Sequence, residues 1–249
     1  MMMVLENLVI THTDPKSPVS EAYRMLRTNI QFSCIDRPLK RIVVTSANPH
    51  EGKTTTIANL AVVFAQSCCK TLLIDTNFRR PRVHEIFGLL NYAGMSNVLA
   101  HQKDYTECLR TVNIEKLEIL TSGPIPPNPS EMLSSKSMLT FLEKIHSEYD
   151  IILLDAPPIG MVTDAAILST ITDGTILVAH SGKVEIEAIQ RAKESLEKVN
   201  ANIIGVVLNK LSKKVSEKYY YQYGYCEEGK KKTERPRRRK MPENWPVNI

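Results

Sequence analysis

The sequence predicts an α/β domain, a mostly parallel β-sheet flanked by helices. Six short runs rich in β-branched and aliphatic residues alternate with helix-length amphipathic segments. The runs are apolar without polar alternation, which suits strands covered on both faces. The chain has 249 residues, 43% of them hydrophobic, with 10 Gly and 14 Pro. That profile excludes a disordered, collagen-like or disulfide-scaffold chain, and the length is enough to bury a full core without staples.

In chain order, a first helix is predicted over 18–32, with Ser17 as N-cap and Pro18 at the first helical position. A strand follows at Arg41–Ser46, then helix 54–67, strand Thr71–Asp75 and strand Leu117–Thr121. Helix 136–147, strand Asp150–Asp155, strand Gly174–Ala179, helix 185–199 and strand Asn202–Leu208 complete the pattern. After Leu211 the periodicity stops. The predicted organisation is therefore a domain over 1–211, with an oligomerisation helix within 14–32, and a flexible tail over 212–249. That tail holds five tyrosines between 219 and 225 and basic runs between 230 and 240.

The formal net charge is +5, but residues 210–249 carry 12 Lys/Arg against 5 Asp/Glu, so the basicity belongs to the tail and the body is nearly neutral. No run approaches the roughly 18 apolar residues of a membrane span. The start lacks the basic leader and apolar stretch of a secretory signal, so a cytoplasmic chain is expected. Cys34, Cys68, Cys69, Cys108 and Cys226 are odd in number and form no C-x-x-C, so they are expected to be reduced thiols without a metal.

The strongest chemical signal is Ser46-Ala-Asn-Pro-His-Glu-Gly-Lys-Thr-Thr55, set between a strand and a helix. Gly52-Lys53-Thr54 is the core of a phosphate-binding loop. In such a loop backbone N–H groups and a helix N-terminus cradle phosphate oxygens, the lysine bridges the terminal phosphates and the threonine hydroxyl ligates Mg²⁺. Ala47 stands at the first glycine position, which makes the loop a variant of P-loop NTPase type. Asp75 and Asp155 each close an apolar strand. In a parallel sheet they face the ligand-binding edge, where they serve metal and γ-phosphate or, in the bland alternative, cap the following turns. Together with the loop they favour hydrolysis or phosphoryl transfer over passive nucleotide binding.

With these motifs in order, the sequence resembles the bacterial tyrosine kinases of capsule and exopolysaccharide synthesis, in the Gram-positive form where the kinase is a separate cytoplasmic protein. The resemblance spans about residues 14–225. Besides the loop it rests on Glu21-x-x-Arg24-x-x-Arg27, Leu72-Leu-Ile-Asp75 with Arg79-Arg-Pro81, and Ser122-Gly-Pro-Ile-Pro-Pro-Asn-Pro129. Ile152-Leu-Leu-Asp155-Ala-Pro-Pro158, Val207-Leu-Asn-Lys210 and the terminal tyrosine cluster complete it. It implies ATP and Mg²⁺ as cofactors, with Asn48, Pro49, His50, Glu51, Gly52, Lys53, Thr54, Thr55 and Asn209 around the nucleotide. By the same resemblance Lys53, Asp75 and Asp155 are catalytic, and Thr54, Asp75 and Asp155 hold the metal. Tyr219, Tyr220, Tyr221, Tyr223 and Tyr225 map onto the autophosphorylation sites.

A phenol is a weak nucleophile near its pKa of about 10, and Asp75 is the candidate to take its proton. Glu21, Arg24 and Arg27, spaced by three, fall in one arc of a helix at about 100° per residue. From spacing alone they form a solvated intrahelical salt bridge; the resemblance makes them a subunit contact around a ring. It further implies a separate transmembrane activator that recruits the kinase to the inner face of the membrane, an opposing tyrosine phosphatase and polysaccharide-pathway protein substrates.

Two positions depart from the family pattern. His50 stands where glycine is usual, and Asn77 replaces the second of two aspartates, which removes a charge and a proton acceptor. Reduced catalysis, down to a weakened regulator, is one alternative these departures open. A second is an ATPase switch of the septum-positioning and partition class, which shares the loop. A third is a polyanion-binding module acting through the basic tail; no folded nucleic-acid motif accompanies that tail, so a nucleic-acid partner is disfavoured.

Overall fold

In a computed structural model the chain divides into two units, Met1–Leu211 and Ser212–Ile249. The structure describes residues 9–33 and 38–212, so the tyrosine cluster and the basic runs lie outside the described residues. A short helix α1 (Ile10–Thr13) precedes α2 (Pro18–Phe32), and residues 14–17 turn between them rather than extending the helix. Ser17 caps α2 as expected: its side chain accepts from Ser20 N, and Pro18 takes the first helical position, where its missing N–H costs nothing.

The sheet has seven strands in the order β3-β4-β2-β5-β1-β6-β7. These are β1 (Arg41–Ser46), β2 (Thr71–Asp75), β3 (Leu109–Thr111), β4 (Leu117–Leu120), β5 (Ile151–Asp155), β6 (Gly174–His180) and β7 (Ile203–Asn209). All neighbours pair in parallel except β3, which runs antiparallel to β4 at one edge. One face is covered by α2 and by α3 (Lys53–Gln66), whose residues Ile57 to Ala65 are almost wholly buried against Ile42, Val44, Leu73, Leu153 and Ile176. The other face packs Val43, Leu72, Leu154 and Leu177 against α8 (Lys136–His146), α9 (Asp164–Ser169) and α10 (Ile186–Glu197). Four one-turn helices, α4 (Val83–Phe87), α5 (Met95–Leu99), α6 (Tyr105–Cys108) and α7 (Pro129–Leu133), lie in the connections.

The expectation of strands covered on both faces holds for β1, β2 and β5 and fails at β7. There Val206 and Leu208, two apart and so on one face of this edge strand, are more than half exposed. From β1 the chain moves to one side, to β2, and from β5 it crosses to the other, to β6. The crevice outside the strand carboxyl ends thus falls at β1 and β5, where an open parallel sheet receives its ligand. Among the described residues no helix is long and apolar enough to cross a membrane.

Candidate active site

The loop after β1 is folded back by its own side chains. Ser46 Oγ donates to Asn48 O at 2.7 Å, and Glu51, although 3% exposed, accepts from Ala47 N at 3.1 Å. Burial pushes the Glu51 carboxyl up, while the Ala47 and Asn48 amides oppose the shift. Asn48, Pro49 and His50 form the exposed outer bend. His50 adopts φ 64°, the left-handed conformation that costs a non-glycine residue about 1–2 kcal/mol and that histidine tolerates better than most.

Gly52 follows at φ 94° and opens α3, so that Lys53, Thr54 and Thr55 occupy the first helical turn. A Cβ on Gly52 would lie 2.1 Å from Asn209 Nδ2, at the end of β7. Both the backbone conformation and this approach demand glycine. Gly52→Ala is therefore expected to weaken nucleotide binding about tenfold; unchanged affinity in a titration would show that the approach of Asn209 is dispensable.

Asp155, at the end of β5, is fully buried beside this turn. Thr54 Oγ1 donates to its Oδ2 at 2.8 Å, and among the described residues its Oδ1 has no hydrogen-bond partner. Burial pushes its carboxyl up; the nearby Lys53 ammonium and the Thr54 hydroxyl pull it back. Asp75 is its register partner across the β2–β5 pair and is equally buried. Its carboxylate anchors backbone amides of the chain that follows β2. Oδ1 accepts from Asn77 N at 3.1 Å, and Oδ2 accepts from Arg82 N and Val83 N, each at 3.0 Å. Both oxygens thus accept from the backbone of the 76–83 segment, with one lone pair left on Oδ1, and the oxygen without a partner among the described residues belongs to Asp155.

Burial and the proximity of Asp155 push Asp75 up to about 8 from an ordinary 3.8. The folded pair therefore binds more protons than the unfolded chain between pH about 4 and about 8, and stability falls as pH rises through that window. Thermal midpoints of nucleotide-free protein are expected to decrease from pH 5 to pH 8, and less steeply in Asp155→Asn; parallel slopes in the two proteins would rule out the carboxylate pair as the cause.

Asn77, at the departure from the family pattern, is 3% exposed, and its Oδ1 accepts from Arg80 N at 3.2 Å. The amide closes the turn without adding a third charge beside the buried pair. The same segment delivers Arg79, which grips Asp164 through Nε and Nη2 at 2.9 and 3.0 Å, while Ser130 Oγ donates to Asp164 Oδ1 at 2.7 Å. Nothing in the sequence marks Ser130 or Asp164 as site residues. Asp164 is fully buried, and its partners lie 34 and 85 residues away, a distance no local motif reveals.

The Glu21, Arg24 and Arg27 side chains part company. Arg24 pairs with Glu21 at 2.8 Å on the outside of α2, whereas Arg27 turns inward and donates to Val63 O of α3 at 3.1 Å. The stripe expected along α2 is therefore a pair plus an inward-facing arginine. Asn209 and Lys210 sit at the end of β7 against the loop, with Asn209 Nδ2 donating to Glu51 O at 3.0 Å.

A strand, a left-handed glycine, a lysine and threonine opening a buried helix, and a carboxylate at the next strand end define a variant P-loop nucleotide-binding protein. Residues 39–211 match the AAA domain family. The chain is 46% identical over 221 residues to the tyrosine-protein kinase YwqD of Bacillus subtilis, covering 89% of this chain and 92% of that protein. Among solved structures, the chimerical protein CapA2B2 superposes with a TM-score of 0.81 at 40% identity, over 83% of this chain and 91% of that one. The chain belongs to the bacterial tyrosine kinases of capsule and exopolysaccharide synthesis. The septum site-determining protein MinD of Pyrococcus horikoshii, with TM-score 0.58 and 21% identity over 72% of this chain and 76% of that one, shares the fold alone.

Proposed function

We propose that this protein is an ATP-dependent protein-tyrosine kinase of the cytoplasmic side of the membrane, whose own tail tyrosines Tyr219, Tyr220, Tyr221, Tyr223 and Tyr225 are substrates. The convergence at the start of α3 of Lys53, Thr54 and Asp155 Oδ1, which has no hydrogen-bond partner among the described residues, carries this reading. Mg²⁺ fits such a site. It is typically held by one or two carboxylates together with substrate phosphates, and among the described residues no cluster of three or more His, Cys, Asp or Glu offers an all-protein cage. Thr54 and Asp155 would hold the ion, which when bound neutralises charge on the phosphates.

The chain's own residues do the rest. Backbone N–H groups from His50 to Thr55 receive the phosphates, Lys53 adds a positive charge to them, and Asp75 acts as a positioning residue that fixes the segment carrying Arg79. A tail tyrosine of a neighbouring subunit would enter the site, and the exposed Glu21–Arg24 pair would exchange partners at the subunit contact of a ring. A transmembrane activator, an opposing tyrosine phosphatase and polysaccharide-pathway substrates complete this reading. Each phosphate on the tail adds about −1.5 to −2 charge, enough for roughly four to offset the +7 of residues 210–249.

The test compares wild type with Lys53→Ala in Mg-ATP, with and without a cytosolic fragment of a candidate membrane partner, and maps phosphotyrosine by mass spectrometry. Phosphate on residues 219–225 in wild type and none in the variant is expected. A wild type that stays unmodified in every condition would sink the kinase reading and leave a nucleotide-binding regulator.

A further inference from the structure

The nucleotide loop is held from behind by the end of β7. Lys210 Nζ donates to His50 O at 2.8 Å, and Asn209 Nδ2 donates to Glu51 O at 3.0 Å. Asn209 Oδ1 in turn accepts from Lys210 N at 2.8 Å, which ties the two holding residues to each other. Two consecutive carbonyls of the loop are thus fixed by one short segment 158–160 residues away in sequence.

A trans peptide is planar, with its C=O and N–H on opposite sides. A cation on the His50 carbonyl therefore sets the Glu51 N–H to the side away from Lys210, and Asn209 does the same for the Gly52 N–H. A phosphate cradle needs this arrangement of carbonyls outward and amides inward. The plane most in need of holding follows His50, a residue in the left-handed region at φ 64° on the exposed bend of the loop. Released, a side-chain-bearing residue relaxes toward negative φ and rotates that plane, whereas a glycine occupies the left-handed region readily.

We propose that Lys210 is a positioning residue of the nucleotide site: by holding the His50 carbonyl it keeps the 50–51 peptide plane turned so that its amide serves the phosphates. The proposal rests on the nucleotide-binding reading above, so its test includes a readout that needs no nucleotide. Full-length wild type, Lys210→Met, Lys210→Arg, His50→Gly and the His50→Gly/Lys210→Met double variant would be compared by hydrogen exchange at residues 50–52 without ligand. The same proteins would then be titrated with a fluorescent ADP analogue and Mg²⁺.

Lys210→Met is expected to speed exchange at Glu51 and Gly52 about tenfold and to weaken analogue binding about fivefold, at an unchanged thermal midpoint. Arginine should restore both to within twofold. In the His50→Gly background, the methionine substitution should change either quantity by less than twofold. Equal effects in the two backgrounds, or exchange unaltered by Lys210→Met, would overturn the proposal. If wild type binds no analogue, the functional reading fails, and the exchange data still decide the role of Lys210.

Discussion

Replacing Asp155 by asparagine is expected to lower tyrosine phosphorylation about a hundred- to a thousandfold and, at the same time, to raise the thermal midpoint of the nucleotide-free protein. The two effects share one cause. Asp155 is fully buried and pushed above the ordinary carboxylate range by that burial, and its Oδ1 meets no donor among the described residues. A buried charge without matched donors is a cost to the fold. On the reading proposed above, that same oxygen would help hold the Mg²⁺ that neutralises the phosphates, where developing charge is most sensitive to a preorganised partner.

Asparagine keeps an oxygen for the Thr54 hydroxyl and removes both the buried charge and the repulsion that Asp155 exerts on Asp75, which together outweigh the cost of placing its amide N–H groups where Oδ1 met no partner among the described residues. A gain of about 1 kcal/mol corresponds to a rise of about 2–4 °C for a domain of this size. Differential scanning and a phosphotyrosine assay on the same preparation check both halves. A lower midpoint accompanying the lost activity would mean that Asp155 is chiefly a structural group.

Much of this site is visible in the sequence because its elements are local. The ends of β1, β2 and β5, the start of α3 and the Ser17–Pro18 helix start are each written in a contiguous stretch, and the structure places them within a residue or two of expectation. The one-turn helices α4 to α7 and strand β3 escaped because elements of three to five residues carry too few periods to be recognised, and β3 owes its existence to β4 across a hairpin. The site's supporting bonds escaped for a different reason. Arg79 with Asp164, Lys210 with His50 and Arg27 with Val63 join residues from 36 to 160 positions apart, and whether an arginine faces solvent or a carbonyl is decided by the neighbouring helix. The spacing of Glu21, Arg24 and Arg27 correctly gives a common arc. It cannot give the packing of α2 on α3 that turns Arg27 away.

Asp75→Asn is the companion experiment, because it makes the same change of charge 80 positions earlier in the pair and is expected to move stability the opposite way. The Asp75 oxygens receive three backbone amides, from Asn77, Arg82 and Val83. Asparagine offers one oxygen. With that oxygen kept on Arg82 N and Val83 N, its amine is set against the Asn77 N–H, and a buried donor without an acceptor costs about 1–3 kcal/mol. The adjacent amine–amide repulsion adds to this, and relief of the repulsion from Asp155 subtracts. A net loss of about 2 kcal/mol lowers the midpoint by about 4–8 °C.

Because the 76–83 segment carries Arg79 to Asp164, phosphorylation is expected to fall about a hundredfold as that segment loosens, with faster hydrogen exchange at Arg82 and Val83. A midpoint that rises in Asp75→Asn as it does in Asp155→Asn would show that electrostatic strain, rather than the three amide bonds, dominates at both positions. Asp75 would then lose the positioning role and return as a candidate for the reacting hydroxyl.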